Sequence, residues 1–302
     1  MPELPEVETV KRGLNKNIIG KEITSIIWSG KKLRRGLLAD VDYHYRQKNN
    51  EMTFRHYWHG KKIIKIIRRG KYIILVGDGE RVLLCHLGMS GFFRFLRHHD
   101  KQYGFLRQQL DDEKKCKKYM RTQHLHLLFF FHDSVLAFYD TRRFGFISDI
   151  ATKDLYQHKA LAILGIEPLT MDIDDLLKNL QKYNLSLKTF LLNQKIIVGI
   201  GNIYAAEILW YAGLSPKKKC WQVKSSDGKK LLKAIKKVLL MAIKKGGSSF
   251  SDFQNIDGEL GYFAYGWRVY GKHGEKCQYC GGVIKKFLQN GRTTYYCSRH
   301  QK

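Results

Sequence analysis

Two residue pairs near the C-terminus have the spacing of a metal site. Cys277-x-x-Cys280 and Cys297-x-x-His300 each set two ligands on one tight turn, with residues 281–296 between them. Four such ligands suit a tetrahedral zinc ion. His273 is a more distant alternative for the fourth ligand. The intervening "GGVIKKFLQNGRTTYY" places strand formers on both sides of an Asn-Gly turn, so the predicted unit is a zinc-stapled β-hairpin. A unit this small cannot build a core alone, and the metal would supply its folding energy. Its tip presents Asn290 and Arg292, and a guanidinium there can hold a phosphate bidentately.

The opposite end poses a different question. The chain opens "MPELPEVETV". "VETVKRGL" predicts a helix, with Pro5 near its first turn and Glu6 where an acid suits the helix dipole. That accounts for Pro5 and Glu6 but not for Pro2. The stretch is not apolar enough for a signal peptide, and Lys11 and Arg12 come too late for a basic start.

A third stretch, "LLNQKIIVGIGNIYAAEILWYAGLSP", predicts a helix ending near Gln194, a glycine turn, and a second helix with Asn202 as its N-cap. Free amides at such a helix start bind phosphate, although an ordinary helical hairpin would look the same.

The elements that must position these groups change character along the chain. "EITSIIWSGKKLRRGLL", "KKIIKIIRRGKYIILVGDGERVLLCHLG" and "LHLLFFFHDSVLAFYD" are β-branched and aromatic runs broken by turns, which predicts an antiparallel β-sandwich. Residues 98–121 are charged and irregular, and are expected to form a mobile loop. From about residue 151 helical spacing dominates, as in "DIDDLLKNLQKY", "LSLKTFLLNQ" and "DGKKLLKAIKKVLLMAIKKGG". Short strands return after residue 265. The fold class is therefore α+β, with the main boundary near residue 150.

The 302 residues allow two domains with separate cores. Lys plus Arg is 54 against 27 for Asp plus Glu, a net charge of +27 that attracts polyanions. Basic residues mixed with aromatics along a folded chain favour nucleic acid as the partner. A solvated lysine-rich surface accounts for part of the excess, and a membrane surface lacks a lipidation motif to support it. No apolar run is long enough to cross a bilayer. Of the six cysteines, Cys85, Cys116 and Cys220 are scattered and three cluster, so without a secretory signal metal binding is favoured over disulfides.

Together these residues resemble the formamidopyrimidine-DNA glycosylase (Fpg/Nei) family. The resemblance runs through "MPELPEVET", "RRGKY" at 68–72, "HLGMSG" at 86–91, "DTRRFG" at 140–145, "VGIGNIYAAE" at 198–207, "GYFA" at 261–264 and the terminal hairpin. It implies a catalytic β-sandwich domain over 1–150, a helix–two-turns–helix domain with a lesion-capping loop over 151–264, and a zinc-finger hairpin over 265–302. It implies a monomeric enzyme acting on double-stranded DNA, and the absence of targeting signals suggests the bacterial cytoplasm, with nucleoid association expected there. The activity is that of a bifunctional glycosylase and AP lyase that removes oxidised purines, 8-oxoguanine and formamidopyrimidines.

The resemblance also assigns roles. With Met1 removed, Pro2 becomes a secondary amine at the N-terminus, of a class whose pKa is about 7.7–8.0, and attacks the sugar C1′. Glu3 is the general acid/base and Glu6 supports it. Lys71 holds a phosphate near the lesion and assists elimination, and Arg292 clamps a phosphate for δ-elimination. Met89, Arg142 and Phe144 fill the space left by the flipped base. His124 and Asn202 contact DNA. Three positions depart from the family pattern: His300 stands where Cys is usual, Tyr183 (beside Lys182) stands where a lysine is usual, and 98–121 looks inserted. Two alternatives remain open: a Nei-like enzyme for oxidised pyrimidines, and a non-catalytic zinc-containing DNA-binding protein. "HLGMSG", "DTRRFG" and the segment 248–264 favour the purine branch.

Overall fold

The computed structural model describes residues 1–31, 33, 50–108, 112–248, 256, 258 and 266–302. The chain forms two compact units. The first holds Met1–Pro2, Glu6–Leu161 and Ser249–Gly261, and the second Glu3–Pro5, Ala162–Ser248 and Tyr262–Lys302.

Among the described residues the first unit has eight strands: β1 (Ser25–Trp28), β2 (Ile63–Arg69), β3 (Tyr72–Gly77), β4 (Arg81–His86), β5 (Gly91–Arg97), β6 (Leu125–Phe130), β7 (Ser134–Asp140) and β8 (Phe146–Ala151). They form two four-stranded antiparallel sheets of order β1-β6-β7-β5 and β2-β3-β4-β8. The sheets share one core. Alternate residues Leu127, Phe129, Leu136 and Phe138 of one sheet meet Ile73, Leu75, Leu83 and Cys85 of the other. Helix α1 (Leu4–Ile18) adds Val7, Val10, Leu14 and Ile18, one apolar stripe at helical spacing. A second helix, α2 (Asn50–Trp58), sends Phe54 and Trp58 into the same core and is not foreseen in the sequence.

The stretch 98–121 is largely helical where it is described, not the expected loop; residues 109–111 lie outside the described residues. It forms α3 (Lys101–Gln108) and α4 (Glu113–Thr122), whose Leu106, Cys116 and Met120 are buried. They pack on the opposite face of β6 and β7, against Leu128, Phe130, Val135 and Ala137. That explains why "LHLLFFF" shows no alternation: both faces of the strand are covered. Asp112 caps α4 by accepting from the Lys115 amide at 3.0 Å.

The second unit is helical. After α5 (Lys159–Ala162), where the chain passes from the first unit to the second, it contains α6 (Ile173–Lys182), α7 (Leu187–Leu192), α8 (Asn202–Ala212) and α9 (Ser225–Lys244), followed by the hairpin β9 (Ile284–Gln289) and β10 (Arg292–Cys297). Helix α8 is apolar all round because α7, α9 and β10 pack on it from different sides. Asn290 and Gly291 take positive φ (50° and 71°), the conformation a two-residue hairpin turn requires. Of the predicted capping segment 248–264, only Ser248, Ile256 and Gly258 are among the described residues. Among the described residues no helix is long and apolar enough to cross a membrane.

Candidate active site

Strand register in the first unit brings the motif residues to one end of the sandwich. Tyr72 pairs with His86, and His86 with Phe146. Their rings are in contact, with centroids 4.8 Å and 5.8 Å apart. Lys71, at the β2–β3 tip, Met89, after β4, and Phe144, before β8, therefore emerge at the same edge. On the other sheet Gly91 pairs with Asp140 and Leu125 with Tyr139, which puts His124 and residues 140–145 at that end too. Lys71 is buried to 7% exposure, unusual for a lysine at a hairpin tip, whereas Met89 is 42% exposed.

Two loops at this end are joined through a carboxylate. Asp140 is fully buried. Its Oδ1 accepts from the Ser90 hydroxyl at 2.6 Å and its Oδ2 from the Gly145 amide at 2.7 Å. The Ser90 hydroxyl in turn accepts from the Arg142 amide at 3.0 Å. The turn carrying Met89 and the loop carrying Arg142 and Phe144 are thus one platform. Gly88 has φ of +66°, and a Cβ there would lie 2.4 Å from the Gly145 amide, so only glycine fits. Arg142 lies over the Phe144 ring, 5.2 Å from its centroid. Among the described residues the non-glycines with positive φ are His124, Arg143 and Asn290, each inside a stretch named above for DNA contact. Asn290 takes it in its hairpin turn, where Asn is favoured; at His124 and Arg143 it is strain held by the surrounding structure, commonly at functional sites.

In the second unit Glu3 is buried against the start of α8. Its carboxylate accepts from the Gly201 amide at 2.7 Å and the Ile203 amide at 3.2 Å. The expected N-cap changes accordingly: Gly201 is the cap and Asn202 the first helical residue, because Glu3 supplies the capping oxygens from a distant part of the chain. A Cβ on Gly201 would lie 2.3 Å from the Glu3 carboxyl carbon, so the glycine makes room for the acid. The Leu4 amide donates to Gly199 O at 3.0 Å, which fixes the opening of the chain on the same turn. Pro2 and Glu6 are buried as well. The Asn202 side-chain amide donates to Thr293 O of the hairpin at 3.1 Å.

The hairpin gathers three of its four predicted ligands. The sulfurs of Cys277, Cys280 and Cys297 lie within 4.8 Å of one another, the only such group among the described residues. Cys280 and Cys297 Sγ are 3.5 Å apart. That is far beyond a disulfide bond and near the edge of a zinc–thiolate tetrahedron, about 3.8 Å from Zn–S bonds of about 2.3 Å. Trp210 Nε1 donates to Cys277 Sγ at 3.3 Å, as outer partners of metal ligands do. His300 is not in the group, and neither is His273. His300 Nε2 donates to Trp210 O at 2.8 Å, which leaves Nδ1 as its acceptor nitrogen.

The model of the formamidopyrimidine-DNA glycosylase N-terminal domain matches residues 1–147, and that of the formamidopyrimidine-DNA glycosylase H2TH domain matches residues 164–254. The chain belongs to the formamidopyrimidine-DNA glycosylase family. It is 37% identical over 307 residues to the formamidopyrimidine-DNA glycosylase of Ruegeria pomeroyi, covering 100% of both chains. Among solved structures it resembles Lactococcus lactis Fpg in complex with DNA containing an abasic site, with a TM-score of 0.81, 32% identity and 99% of each chain covered. It also resembles MutM in complex with DNA containing carbocyclic 8-oxo-G, at a TM-score of 0.80, 33% identity and full coverage of both chains. A further Lactococcus lactis Fpg complex, at 33% identity and a TM-score of 0.80, holds DNA with an oxidised pyrimidine and is likewise covered in full.

Within this family fold, Tyr183 packs beside the helical core with its ring 6.4 Å from Phe190, while Lys182 is exposed at the end of α6. Residues that sequence reasoning passed over are Ser90, Asp140, Lys188 and Glu207. The last is fully buried, and its carboxylate accepts from the amides of Arg268, Val269 and Tyr270 at 2.9–3.0 Å, tying the hairpin's lead-in to α8.

Proposed function

We propose that this chain is a bifunctional DNA glycosylase and AP lyase of base excision repair, acting on oxidised purines in double-stranded DNA. The observation that carries the reading is Glu3, adjacent to Pro2, buried and aimed by two backbone amides. The two amides orient the carboxylate so that it can take the proton of an amine nucleophile and pass it on to the sugar. The uncharged Pro2 nitrogen, freed by loss of Met1, forms a bond to C1′ and gives its N–H proton to Glu3. The glycosidic bond breaks with its electron pair to the base, which takes up a proton. Glu3 protonates the ring oxygen as the sugar opens to a cationic iminium. Loss of a C2′ proton expels the 3′ phosphate, and a second elimination expels the 5′ phosphate. Water then hydrolyses the iminium and releases Pro2. Lys71 and Arg292 hold the phosphates during these eliminations. Met89, Arg142 and Phe144 fill the vacated stack, and His124 and Asn202 grip the backbone.

Residues 1–150 carry the catalytic sandwich, 151–264 the helical DNA-binding domain and 265–302 the hairpin. The donor set there fits zinc, which Cys277, Cys280 and Cys297 would hold, with His300 Nδ1 as the nitrogen offered for a fourth bond. The ion would supply folding energy. The protein acts as a monomer in the bacterial cytoplasm, associated with the nucleoid.

The substrate assignment is tested by cleavage of 8-oxoguanine opposite C against thymine glycol opposite A. Faster cutting of 8-oxoguanine is expected. Preferential cutting of thymine glycol would move the chain to the oxidised-pyrimidine reading, which the complex of the Lactococcus lactis relative with an oxidised pyrimidine keeps as second choice.

Ser90→Ala leaves one Asp140 oxygen and the Arg142 amide unpaired. The expected result is roughly tenfold slower excision from an 8-oxoguanine duplex and a loss of about 1–3 kcal/mol in stability, with abasic-site cleavage less affected. Equal loss on both substrates in single-turnover assays would contradict a role in filling the stack.

A further inference from the structure

Lys188 lies on α7 and is only 1% exposed, a rare state for a lysine. Its Nζ donates to Thr293 O at 3.0 Å and to Thr294 Oγ1 at 2.7 Å, both on β10 directly after Arg292. No carboxylate is among its partners in the described residues. Burial pulls its amine pKa down to about 8, and the Arg292 charge adds to the effect. An apolar side chain could fill this place without desolvating a cation.

The remaining contacts show what the lysine holds. Thr294 Oγ1 donates to Gln289 Oε1 at 3.1 Å, across the hairpin. Gln289 Nε2 donates to the Ser186 hydroxyl at 2.8 Å, and Asn290 Nδ2 to Thr189 Oγ1 at 2.9 Å. Ser186 caps α7 and Thr189 is in its first turn. Both strands at the tip are thus pinned to one end of α7, on either side of Arg292, whose own side chain is exposed.

We propose that Lys188 is a positioning residue for Arg292: it clamps residues 293–294 to α7 and so fixes the tip guanidinium for the second elimination. This rests on the role given to Arg292 under the proposed function.

The test uses full-length zinc-loaded protein on an abasic-site duplex and resolves the two 3′ products, the unsaturated aldehyde left by β-elimination and the phosphate left by δ-elimination. Lys188→Met should slow the δ step by roughly 10- to 100-fold and the β step by less than about threefold, since misplacement by an ångström costs about that much. Lys188→Arg, which keeps charge and donors, should recover most of the δ step. Thr294→Val removes one acceptor without touching the lysine and should shift the split in the same direction, which keeps the test intact if Lys188→Met folds poorly. An unchanged product split in both Lys188→Met and Thr294→Val overturns the inference, as does an equal fall of both steps. Arg292→Gln run in parallel separates the two levels. If it loses the δ step while the Lys188 variants do not, only the positioning role fails. If it keeps the wild-type split, the reading of Arg292 fails and the inference with it.

Discussion

Glu3→Gln should reduce single-turnover excision of 8-oxoguanine by on the order of 10²- to 10⁴-fold, the range for loss of a general acid. The substitution keeps the shape of the side chain and removes its charge. Two amides, from Gly201 and Ile203, point at the carboxylate. A glutamine can accept from one of them but turns an NH2 toward the other, so a stability loss of about 1–3 kcal/mol should accompany the change. DNA affinity should survive, because the basic residues assigned to phosphate are untouched. Gly201→Ala is the companion experiment. Its Cβ would come within 2.3 Å of the Glu3 carboxyl carbon, so it should displace the acid and lower the rate although no proposed catalytic residue is itself replaced. A Glu3→Gln protein with near wild-type rates would reduce Glu3 to a cap for α8.

Loss of the metal should be nearly as damaging. The hairpin core consists of Ala206, Trp210, Val269, Cys277, Ile284 and Cys297, and two of these six are proposed zinc ligands. Such a cluster is too small to hold β9 and β10 without an ion. Chelation, or Cys280→Ser, should release one zinc per chain and free the tip that carries Arg292. Strand cleavage should fall by about 100-fold or more, the usual cost of removing a preorganised charge from a transition state. The sandwich core shares no residue with the hairpin core, so most far-ultraviolet circular dichroism should remain. Full cleavage by a Cys280→Ser protein free of zinc by atomic emission would contradict the metal assignment.

Local signals were legible in the sequence. The Asn-Gly turn, the Cys-x-x-Cys spacing and the glycines of "VGIG" all act within a few residues. The lack of alternation in "LHLLFFF" was a further signal, since a strand covered on both faces requires something on its outer side. That covering came from 98–121, where the apolar residues Leu106, Cys116 and Met120 were lost among lysines and the helices were missed. Contacts made over long sequence separations were not legible. Glu3 meets Gly201, Ser90 meets Asp140 and Lys188 meets Thr293, each pair joined only by the fold. Lys188 had no signal of its own among the many lysines of a strongly basic chain. The N-cap of α8 was misplaced for the same reason, since its capping oxygens come from Glu3.

The central claim is that Pro2 is the nucleophile. It is tested most directly by borohydride trapping on an 8-oxoguanine duplex, with wild type and Pro2→Gly side by side and loss of Met1 verified by mass spectrometry. A wild-type covalent adduct that maps to Pro2, and is much weaker in the variant, is the predicted result. No adduct from processed, zinc-loaded protein, on this duplex or on an abasic one, would contradict the account and leave a DNA-binding protein without this chemistry.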